Sequence, residues 1–366
     1  MAIKMPQINV TFQGQASSII ARSERGIAIL IIKDDTNEEF THKQYSDLTA
    51  LSKDKALYTD ENYNAIYDML LFAPYESHVF RYGSEGNLSD ALAEITRTVK
   101  TGWIAMAGQT QTEADEIVSF IKTQEAKAKS YKAVVYKPST APDNMHIVNF
   151  VNEKVTFNDE KRGEQDGVKY LPSLISILAI CNITRGSTNY KCSNLSFVKE
   201  VADNDEAVGA GKFVLYNDED NYVRIGQGIN SMTTTDGLNK TDDMKFIETV
   251  EAMDMIRDDI TKTFRSDYLG NYRNSRDNQM LFIAAINNGY FYELAKQNVL
   301  DSNYNNTATI DITAQRQAWI ASGKSEAASW DDDTVKAMSF KRDVYLAGDI
   351  KILGSMTNLY FPITMA

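Results

Sequence analysis

The chain has 366 residues, enough for two or three domains at about 150 residues per domain. Hydrophobic residues make up 43% and charged residues 24%, which is typical of a globular protein with a large core. Acidic residues number 50 and basic residues 38, so the formal net charge is -12. A surface of this charge repels a phosphate backbone, and we therefore expect no nucleic-acid partner.

The N-terminus and the most apolar stretch argue against secretion and membrane insertion. The first twenty residues contain no apolar run of signal-peptide length. The most apolar stretch, residues 170–183, is interrupted by polar residues and is shorter than the roughly 18 residues that span a bilayer. Cys181 and Cys192 fit two unpaired structural thiols in a reducing cytosol better than a disulfide framework.

The N-terminal segment carries the pattern of a half-buried strand. Ile8, Val10 and Phe12 alternate with polar residues, and a pliable stretch of mostly small residues separates them from the apolar run 27–32. A lone terminal strand must pair with a sheet edge. It is either an edge strand of its own domain or a strand donated to a neighbouring subunit.

From about residue 60 the chain alternates helices and strands. The pattern predicts helices over residues 61–72, 89–99, 113–129 and 172–180, and strands over residues 78–82, 103–107, 132–136 and 147–151. Asn87 is a suitable N-cap for the second of these helices, and Pro172 opens the fourth at a favoured early position. Strands that alternate with helices of this length form βαβ units, so we predict an α/β domain with a mainly parallel sheet.

The last part of the chain begins with a hairpin, continues as helices and ends in strands. Strands over residues 213–216 and 222–225 flank an acidic turn, which lacks the Gly and Glu of a calcium loop and is expected to be solvated. Apolar residues at helical spacing then predict two buried helix faces, one from Phe246 to Phe264 and one from Ile283 to Leu294. Closing strands are predicted over residues 344–346, 350–353 and 358–365, with Pro362 placing the last one at an edge.

The search for catalytic motifs finds no complete one. Gly209–Lys212 approaches a phosphate-binding loop, but the first Gly is missing and Phe213 replaces the required Ser or Thr. The segment Gly186–Thr188 lacks the second Gly of a nucleophile elbow. Asp331–Asp333 fits a solvated turn better than a metal site.

The histidines give no metal-binding pattern either. His42, His78 and His146 are far apart in sequence, and a zinc site needs ligands at close spacing. Each is expected to be an ordinary surface or strand residue. We therefore predict a protein that is not an enzyme, with no catalytic residues, no metal site and no cofactor.

Several segments resemble those of a known family. They are Met5–Val10, Arg22–Ile27, Val223–Ile225 with Gly228–Met232, Phe246–Leu300 and Val344–Met365. In these segments the chain resembles the tail sheath proteins of contractile phage tails and of phage-tail-like bacteriocins, most closely the shorter sheaths of Gram-positive bacteria and their phages. The most specific match is Phe246–Leu300, which includes Ile256–Ile260 and Ile283–Asn287.

The resemblance implies an α/β fold with a subtilisin-like core domain that lacks a catalytic triad, an α+β C-terminal domain, and extended β-strand arms at both termini. The boundaries it implies are an N-terminal linking arm over residues 1–20, a small N-terminal part over 21–90, the subtilisin-like domain over 91–235, the helical part of the C-terminal domain over 236–343, and the closing strands and linking arm over 344–366.

The resemblance also implies a function. Sheath subunits form a homo-oligomer of hexameric rings stacked around an inner tube protein, and the sheath contracts after a baseplate trigger to drive the tube through a bacterial envelope. Further partners are baseplate and tail terminator proteins. The expected location is a virion tail or bacteriocin particle, assembled in the bacterial cytoplasm and released on lysis.

Two sets of residues follow from this resemblance. For inter-subunit strand exchange we predict Ile8, Val10, Phe12, Leu359, Phe361 and Ile363. The alternative is that these strands pair within their own chain. For contact with the inner tube we predict Arg265, Arg273 and Arg276, a locally basic stretch whose alternative is a plain solvated face.

Two other functions remain as alternatives. One is a soluble α/β enzyme such as a hydrolase. The other is a tube or baseplate subunit rather than a sheath, which the length of the chain and its βαβ section disfavour.

Overall fold

A computed structural model describes residues 25–365, apart from residues 160, 182 and 184. Contacts divide this part of the chain into two compact units. The first unit holds the described residues up to Ile256 and from Ile352 onward, and the second holds Arg257–Lys351. No helix within the described ranges has both the length and the apolar character needed to cross a membrane.

The first unit contains most of the strands. Its elements in chain order are β1 (Ile27–Lys33), β2 (His42–Tyr45), α1 (Leu48–Lys53), α2 (Asp60–Leu70), β3 (Glu76–Tyr82), α3 (Leu88–Thr98), β4 (Gly102–Met106), α4 (Gln111–Glu125), β5 (Tyr131–Tyr136), β6 (Ile147–Phe150), β7 (Lys154–Phe157), β8 (Glu164–Asp166), α5 (Leu171–Ile180), β9 (Leu195–Val198), α6 (Asn204–Gly209), β10 (Lys212–Phe213), β11 (Leu215–Asn217), β12 (Val223–Ile225) and the beginning of α7 (Ile247–Thr263). Short 3₁₀ helices cover Lys55–Leu57, Gly167–Tyr170 and Asp242–Lys245.

A seven-stranded sheet forms the centre of this unit. Its strand order is β10-β6-β5-β4-β1-β3-β2, and every neighbouring pair is parallel except β2 with β3. The prediction of an α/β unit with a mainly parallel sheet is therefore confirmed. The helices predicted over 61–72, 89–99, 113–129 and 172–180 correspond to α2, α3, α4 and α5.

Helices cover both faces of this sheet, because its strands are apolar on both sides. In β1, Leu30 and Ile32 face one core, which they share with α2 and α5. Ile29 and Ile31 face the other core, which they share with α3 and α4. Such alternation follows from the period of two in a strand.

Helix α5 explains the most apolar stretch of the sequence. Residues Leu171–Ala179 are all buried, including Ser173 and Ser176, and Pro172 lies in the first turn as predicted. Asn87 is the N-cap residue of α3, also as predicted, although its side chain makes no capping hydrogen bond. The stretch is a buried core helix.

The predicted hairpin forms with a small shift. Strands β11 and β12 pair antiparallel, with Leu215 opposite Ile225. Phe213 belongs instead to β10, which pairs with β6 at the edge of the large sheet, so the chain leaves that sheet before it enters the hairpin. In the acidic turn, the Asp218 carboxylate accepts hydrogen bonds from the backbone amides of Asp220 and Tyr222, at 3.0 and 2.7 Å. Strands β7, β8 and β9 form a separate antiparallel sheet.

The second unit is mainly helical. It contains the end of α7, a π-helical turn (Phe264–Tyr268), α8 (Arg276–Ala284), a second π-helical segment (Ala285–Phe291), α9 (Tyr292–Lys296), β13 (Thr307–Ile310), α10 (Ile312–Ala321), a 3₁₀ helix (Ser325–Ser329), α11 (Asp332–Ala337) and β14 (Leu346–Asp349). The helix predicted around Ile283–Leu294 is present, and Ile283, Ile286, Tyr290 and Leu294 are buried. The prediction of a helix from Phe246 to Phe264 is confirmed by α7 and the π-helical turn that follows it.

The closing strands differ from their prediction. Strand β14 pairs antiparallel with β13 and is the only strand after residue 340 in the described chain. Residues 353–365 lie in no strand. The seven-stranded sheet draws three strands from residues 21–90 and four from residues 91–235. The five-part division of the chain stays a prediction.

Candidate functional site

The C-terminal segment, residues 353–365, is exposed over its whole length. Leu359 is 88% exposed, Phe361 73% and Ile363 71%, and Tyr360 and Met365 are exposed as well. Side chains of this kind are usually buried, and a cluster of them in water marks an interaction site. Intramolecular strand pairing, the alternative considered for Leu359, Phe361 and Ile363, is absent from this described segment.

The start of this segment is fixed to the first unit. The Ser355 amide donates a hydrogen bond to Glu248 Oε1 at 2.7 Å, and the Ser355 hydroxyl donates one to Glu248 Oε2 at 2.5 Å. Gly186 lies against both groups: a Cβ there would collide with the Glu248 carboxylate and would lie 2.8 Å from Ser355 Oγ. The contact with Glu248 therefore fixes the position of the start of the exposed segment.

The N-terminal candidates Ile8, Val10 and Phe12 lie outside the described residues. The first described residue is Arg25, whose guanidinium Nε lies 3.4 Å from Glu251 Oε2. Both groups are less than a tenth exposed.

The β13–β14 pair in the second unit has one open edge. On the β13 side, Asn287 donates to the Ala308 carbonyl at 3.0 Å and accepts from the Ala308 amide at 2.6 Å, so this side chain occupies the outer edge of β13. Backbone groups in an antiparallel pair point alternately toward and away from the partner strand. Since Ala308 points away from β14, its opposite residue Gly348 points away from β13.

The outer edge of β14 is exposed to solvent. Ala347, Gly348 and Asp349 are exposed, and within the described residues the backbone groups of Leu346 and Gly348 form no hydrogen bond. An edge with unpaired N–H and C=O groups is a template for another strand. Sequence patterns do not reveal this asymmetry, because it depends on one amide side chain twenty-one residues before Ala308.

The three candidate arginines are all exposed but do not form one site. Arg265 lies in the first π-helical turn, and Arg276 is the first residue of α8. Arg273 lines a cavity of about 90 Å³ whose wall includes Tyr268 and Phe282. The cavity also contains Arg342, which the sequence analysis missed. In the described chain none of the three candidate guanidinium groups forms an ion pair.

A second cavity, of about 270 Å³, lies where α/β enzymes bind their ligands, beyond the carboxyl end of a central strand. Ala107 and Gly108, which follow β4, line it together with Asp68 and Arg162. These two form an ion pair at 2.6 Å, and burial raises the pKa of Asp68 despite the Arg162 charge. No Ser, Cys or His is among the described residues that line it, and its ionisable side chains are those of Asp, Glu, Lys and Arg residues.

His42 and His78 lie in strands, β2 and β3, as the sequence predicts, and the fold brings their side chains together. His42 Nε2 lies 2.9 Å from His78 Nδ1, because β2 and β3 are adjacent, and both rings stack near Phe80. His146 is 3% exposed, so the expectation of a surface or strand position is wrong for it. No group of three or more His, Cys, Asp or Glu residues that could hold a metal ion occurs in the described ranges.

His146 belongs to a buried ionic cluster at the amino ends of the central strands. Its Nε2 lies 3.2 Å from the Asp254 carboxylate, and Lys132 Nζ lies 2.7 Å from the same carboxylate. Burial opposes the charge on His146, but the carboxylates of Asp254 and Glu125, which accept hydrogen bonds from the ring, raise its pKa above the usual value. Burial likewise opposes the Asp254 charge, yet Lys132 and His146 hold the pKa of Asp254 well below its usual value.

The cluster continues along α7. Glu251 lies 3.4 Å from Lys132 Nζ and accepts a hydrogen bond from Trp103 Nε1 at 2.9 Å. Ligands in α/β sheets bind at the carboxyl ends of the strands, and this cluster lies at the opposite ends. It therefore attaches α7 to the sheet.

Comparison with known proteins extends these observations. Residues 239–366 match the family described as the phage tail sheath C-terminal domain. The chain is 28% identical, over 98% of its own length and 98% of the relative, to a tail sheath protein of Clostridium phage phiCD119. The resemblance stated from the sequence is confirmed.

Solved structures share the fold. The chain resembles a sheath tail protein of Desulfitobacterium hafniense with a TM-score of 0.67 and 14% identity, over 83% of this chain and 94% of that one. It resembles the contracted helical sheath of the anti-feeding prophage with a TM-score of 0.70 and 12% identity, over 99% of both chains. The mixed α/β fold is thus one that tail sheath proteins have.

Proposed function

Starting from the match of this chain to phage tail sheath proteins along nearly its whole length, we propose that it is a structural subunit of a contractile tail sheath. Subunits stack as hexameric rings around an inner tube, and contraction of the sheath drives the tube through a bacterial envelope. The chain is not an enzyme in this proposal, and its relatives are structural proteins.

The exposed apolar C-terminal segment carries the proposal. Burial of Leu359, Phe361 and Ile363 against a neighbouring subunit would contribute roughly 5–9 kcal/mol, from about 1.5–3 kcal/mol for each side chain. The entropy of ordering the segment offsets part of this gain. The segment stays exposed in a monomer, whereas in a polymer it is buried against the neighbouring subunit.

The outer edge of β14 is the acceptor in this proposal. A donated strand adds to the β13–β14 pair through main-chain hydrogen bonds, and its alternating apolar side chains bury one face. The same role falls to Ile8, Val10 and Phe12 of the N-terminal segment. The subunits stay connected through these arms while their bodies pivot.

The remaining assignments follow the same family. The parallel sheet and its two helical layers form the subtilisin-like domain, without a catalytic triad, and the second unit belongs to the α+β C-terminal domain. The division at residues 20, 90, 235 and 343 is part of the proposal. The extended sheath is kinetically trapped, and contraction releases free energy without nucleotide hydrolysis.

The inner tube is a proposed partner of the C-terminal domain. Arg265, Arg273 and Arg276 are exposed cations in an acidic chain and would contact acidic groups on the tube. Baseplate and tail terminator proteins complete the particle, which is a virion tail or a bacteriocin. Assembly takes place in the bacterial cytoplasm and release follows lysis.

Electron microscopy of the purified protein at rising concentration tests the proposal. Hollow tubes or stacked six-fold rings are expected, together with concentration-dependent light scattering. Phe361→Asp should block assembly, whereas the control Leu238→Asp, at a residue 82% exposed in the first unit, should not. A wild-type protein that stays monomeric throughout would favour the alternative of a soluble α/β enzyme.

Deletion of residues 1–20 tests the N-terminal arm separately. The truncated chain should remain a folded monomer and fail to form tubes. Tubes that still form would refute the role of Ile8, Val10 and Phe12.

A further inference from the structure

Helix α7 presents three carboxylates at intervals of three residues: Glu248, Glu251 and Asp254. Residues three apart in a helix are neighbours on one side of it. Glu248 contacts the start of the C-terminal segment, Glu251 contacts Arg25 just before β1, and Glu251 and Asp254 both contact Lys132 in β5.

Glu248 holds the C-terminal segment. Its two oxygens accept hydrogen bonds from the amide and the hydroxyl of Ser355, and the exposed apolar residues begin directly afterwards. Gly186 leaves just enough room for this contact. Ser355 is therefore the point at which the segment separates from the body.

Glu251 holds the residues that lead into β1. It pairs with Arg25, two residues before β1, and the Arg25 guanidinium also lies 3.5 Å from the Thr101 hydroxyl. The side chains of Arg25 and Glu251 are 8% and 6% exposed, so this contact is built into the core rather than lying on the surface.

Asp254 fixes the helix itself. Its ion pairs with Lys132 and His146, both of which are almost fully buried, connect α7 to β5 and to the start of β6. Carboxylates with buried, opposite-charge partners hold their positions much more firmly than surface pairs do. These buried ion pairs fix the position of α7 relative to the sheet.

We propose that the first turns of α7 position the exit points of both terminal segments, with Glu248 and Glu251 as the positioning residues. The inference rests on the proposed function, in which these segments are exchanged between subunits. The two residues are three positions apart, about 4.5 Å along the helix axis. A force on either terminal segment is then transmitted to α7, because Glu248 and Glu251 lie on the same helix. The strands of the sheet do not have to carry that force.

Hydrogen exchange on the monomer tests the positioning without assembly. In the wild type, the Ser355 amide should exchange about tenfold more slowly than the amides of residues 356–361, after correction for intrinsic rates, as one hydrogen bond to a carboxylate predicts. Glu248→Ala and Gly186→Ala should each remove this protection. Glu219→Ala, which removes an exposed turn carboxylate, should leave it unchanged.

The N-terminal exit has its own variant. Arg25→Met keeps an apolar stem in the core and leaves Glu251 paired with Lys132, so the body should stay folded. It should speed exchange about tenfold at the Glu76 amide, which donates to the Gly26 carbonyl. Unprotected Ser355 in the wild type, or unchanged exchange in Glu248→Ala and Arg25→Met, would overturn the inference.

Tube assembly supplies the second readout. Glu248→Ala and Arg25→Met should raise the critical concentration for assembly about fivefold or more while melting close to the wild-type temperature. If both assemble as the wild type does, the contacts are structural only and the inference is wrong. If the wild type forms no tubes, the proposed function fails, and the monomer exchange experiment still decides whether α7 holds both exits.

Discussion

Lys132 and Asp254 form a buried ion pair of 2.7 Å that connects the second residue of β5 with the middle of α7. Each side chain is 3% exposed. Removal of Lys132 takes a buried cation away from both Asp254 and Glu251 and leaves Asp254 paired with His146, which costs more than the loss of an exposed pair.

Lys132→Met should therefore lower the free energy of unfolding by about 3–5 kcal/mol. Lys137→Met is the matched control, because Lys137 pairs with Glu153 at 3.7 Å with both side chains well exposed, and it should cost less than about 1 kcal/mol. Urea denaturation measures both values. Equal costs for the two variants would contradict the assignment of the cluster as the attachment of α7.

Stability should depend on pH through His146 and Asp254. The folded state raises the pKa of His146, so its contribution is complete below the ordinary value near 6.5 and is lost as the pH rises through the folded value. The folded state lowers the pKa of Asp254, so its contribution is present above the ordinary value of 3.8 and is lost as the pH falls below it.

Thermal melting between pH 3 and pH 9 checks these signs. The melting temperature of the wild type should fall as the pH rises toward 9. In His146→Gln this alkaline decrease should be smaller, whereas the decrease toward pH 3 should remain. An alkaline limb that persists in His146→Gln would show that another group is responsible.

The two thiols should be unreactive in the folded protein. Cys181 and Cys192 are free and buried, and burial raises the pKa of each thiol to about 12. Since the thiolate is the reacting form, modification by a disulfide reagent at pH 8 should be slow without denaturant and complete in urea. Rapid labelling of the folded protein would show that this part of the core opens.

Proline at the outer edge of β14 tests the acceptor. The amide of Gly348 points away from β13, so Gly348→Pro removes a donor that only an incoming strand would use. Tubes should be lost although the monomer melts at nearly the wild-type temperature. Gly348→Ala keeps the donor, its Cβ would lie 3.9 Å from the Thr307 carbonyl oxygen in an ordinary contact, and it should assemble. If Gly348→Pro still forms tubes, the outer edge of β14 is not the acceptor of the donated strand.

Local patterns predict the elements that bury one clear apolar set. Helix α5, strand β4 and the faces of α7 follow from periodicity, since burial of those side chains is their main stabilisation. Strand β2 could not be predicted, because its residues His42–Tyr45 are polar and its pairing depends on β3. The alternation around Phe361 predicts a strand, but residues 353–365 lie in no strand of the described chain.

The candidate sites likewise contain residues that the sequence predicts and residues that it does not. Sequence points to the apolar residues of the C-terminal segment and to the basic character of Arg273. It does not reveal Arg342 in the same cavity, Asn287 on the edge of β13 or Glu248 beneath Ser355, because each contact joins residues distant in the chain. Contacts of this kind are fixed by the three-dimensional fold.

In the sheath that we propose, Asn287 has a consequence for the polymer as a whole. With the β13 side occupied, each subunit of that sheath would accept a donated strand at its β14 edge, and a subunit that accepts from one neighbour and donates to another is related to both head to tail. A tube built this way is polar. One end carries a ring of vacant β14 edges and the other a ring of unused C-terminal segments, and the two ends therefore require chemically different caps.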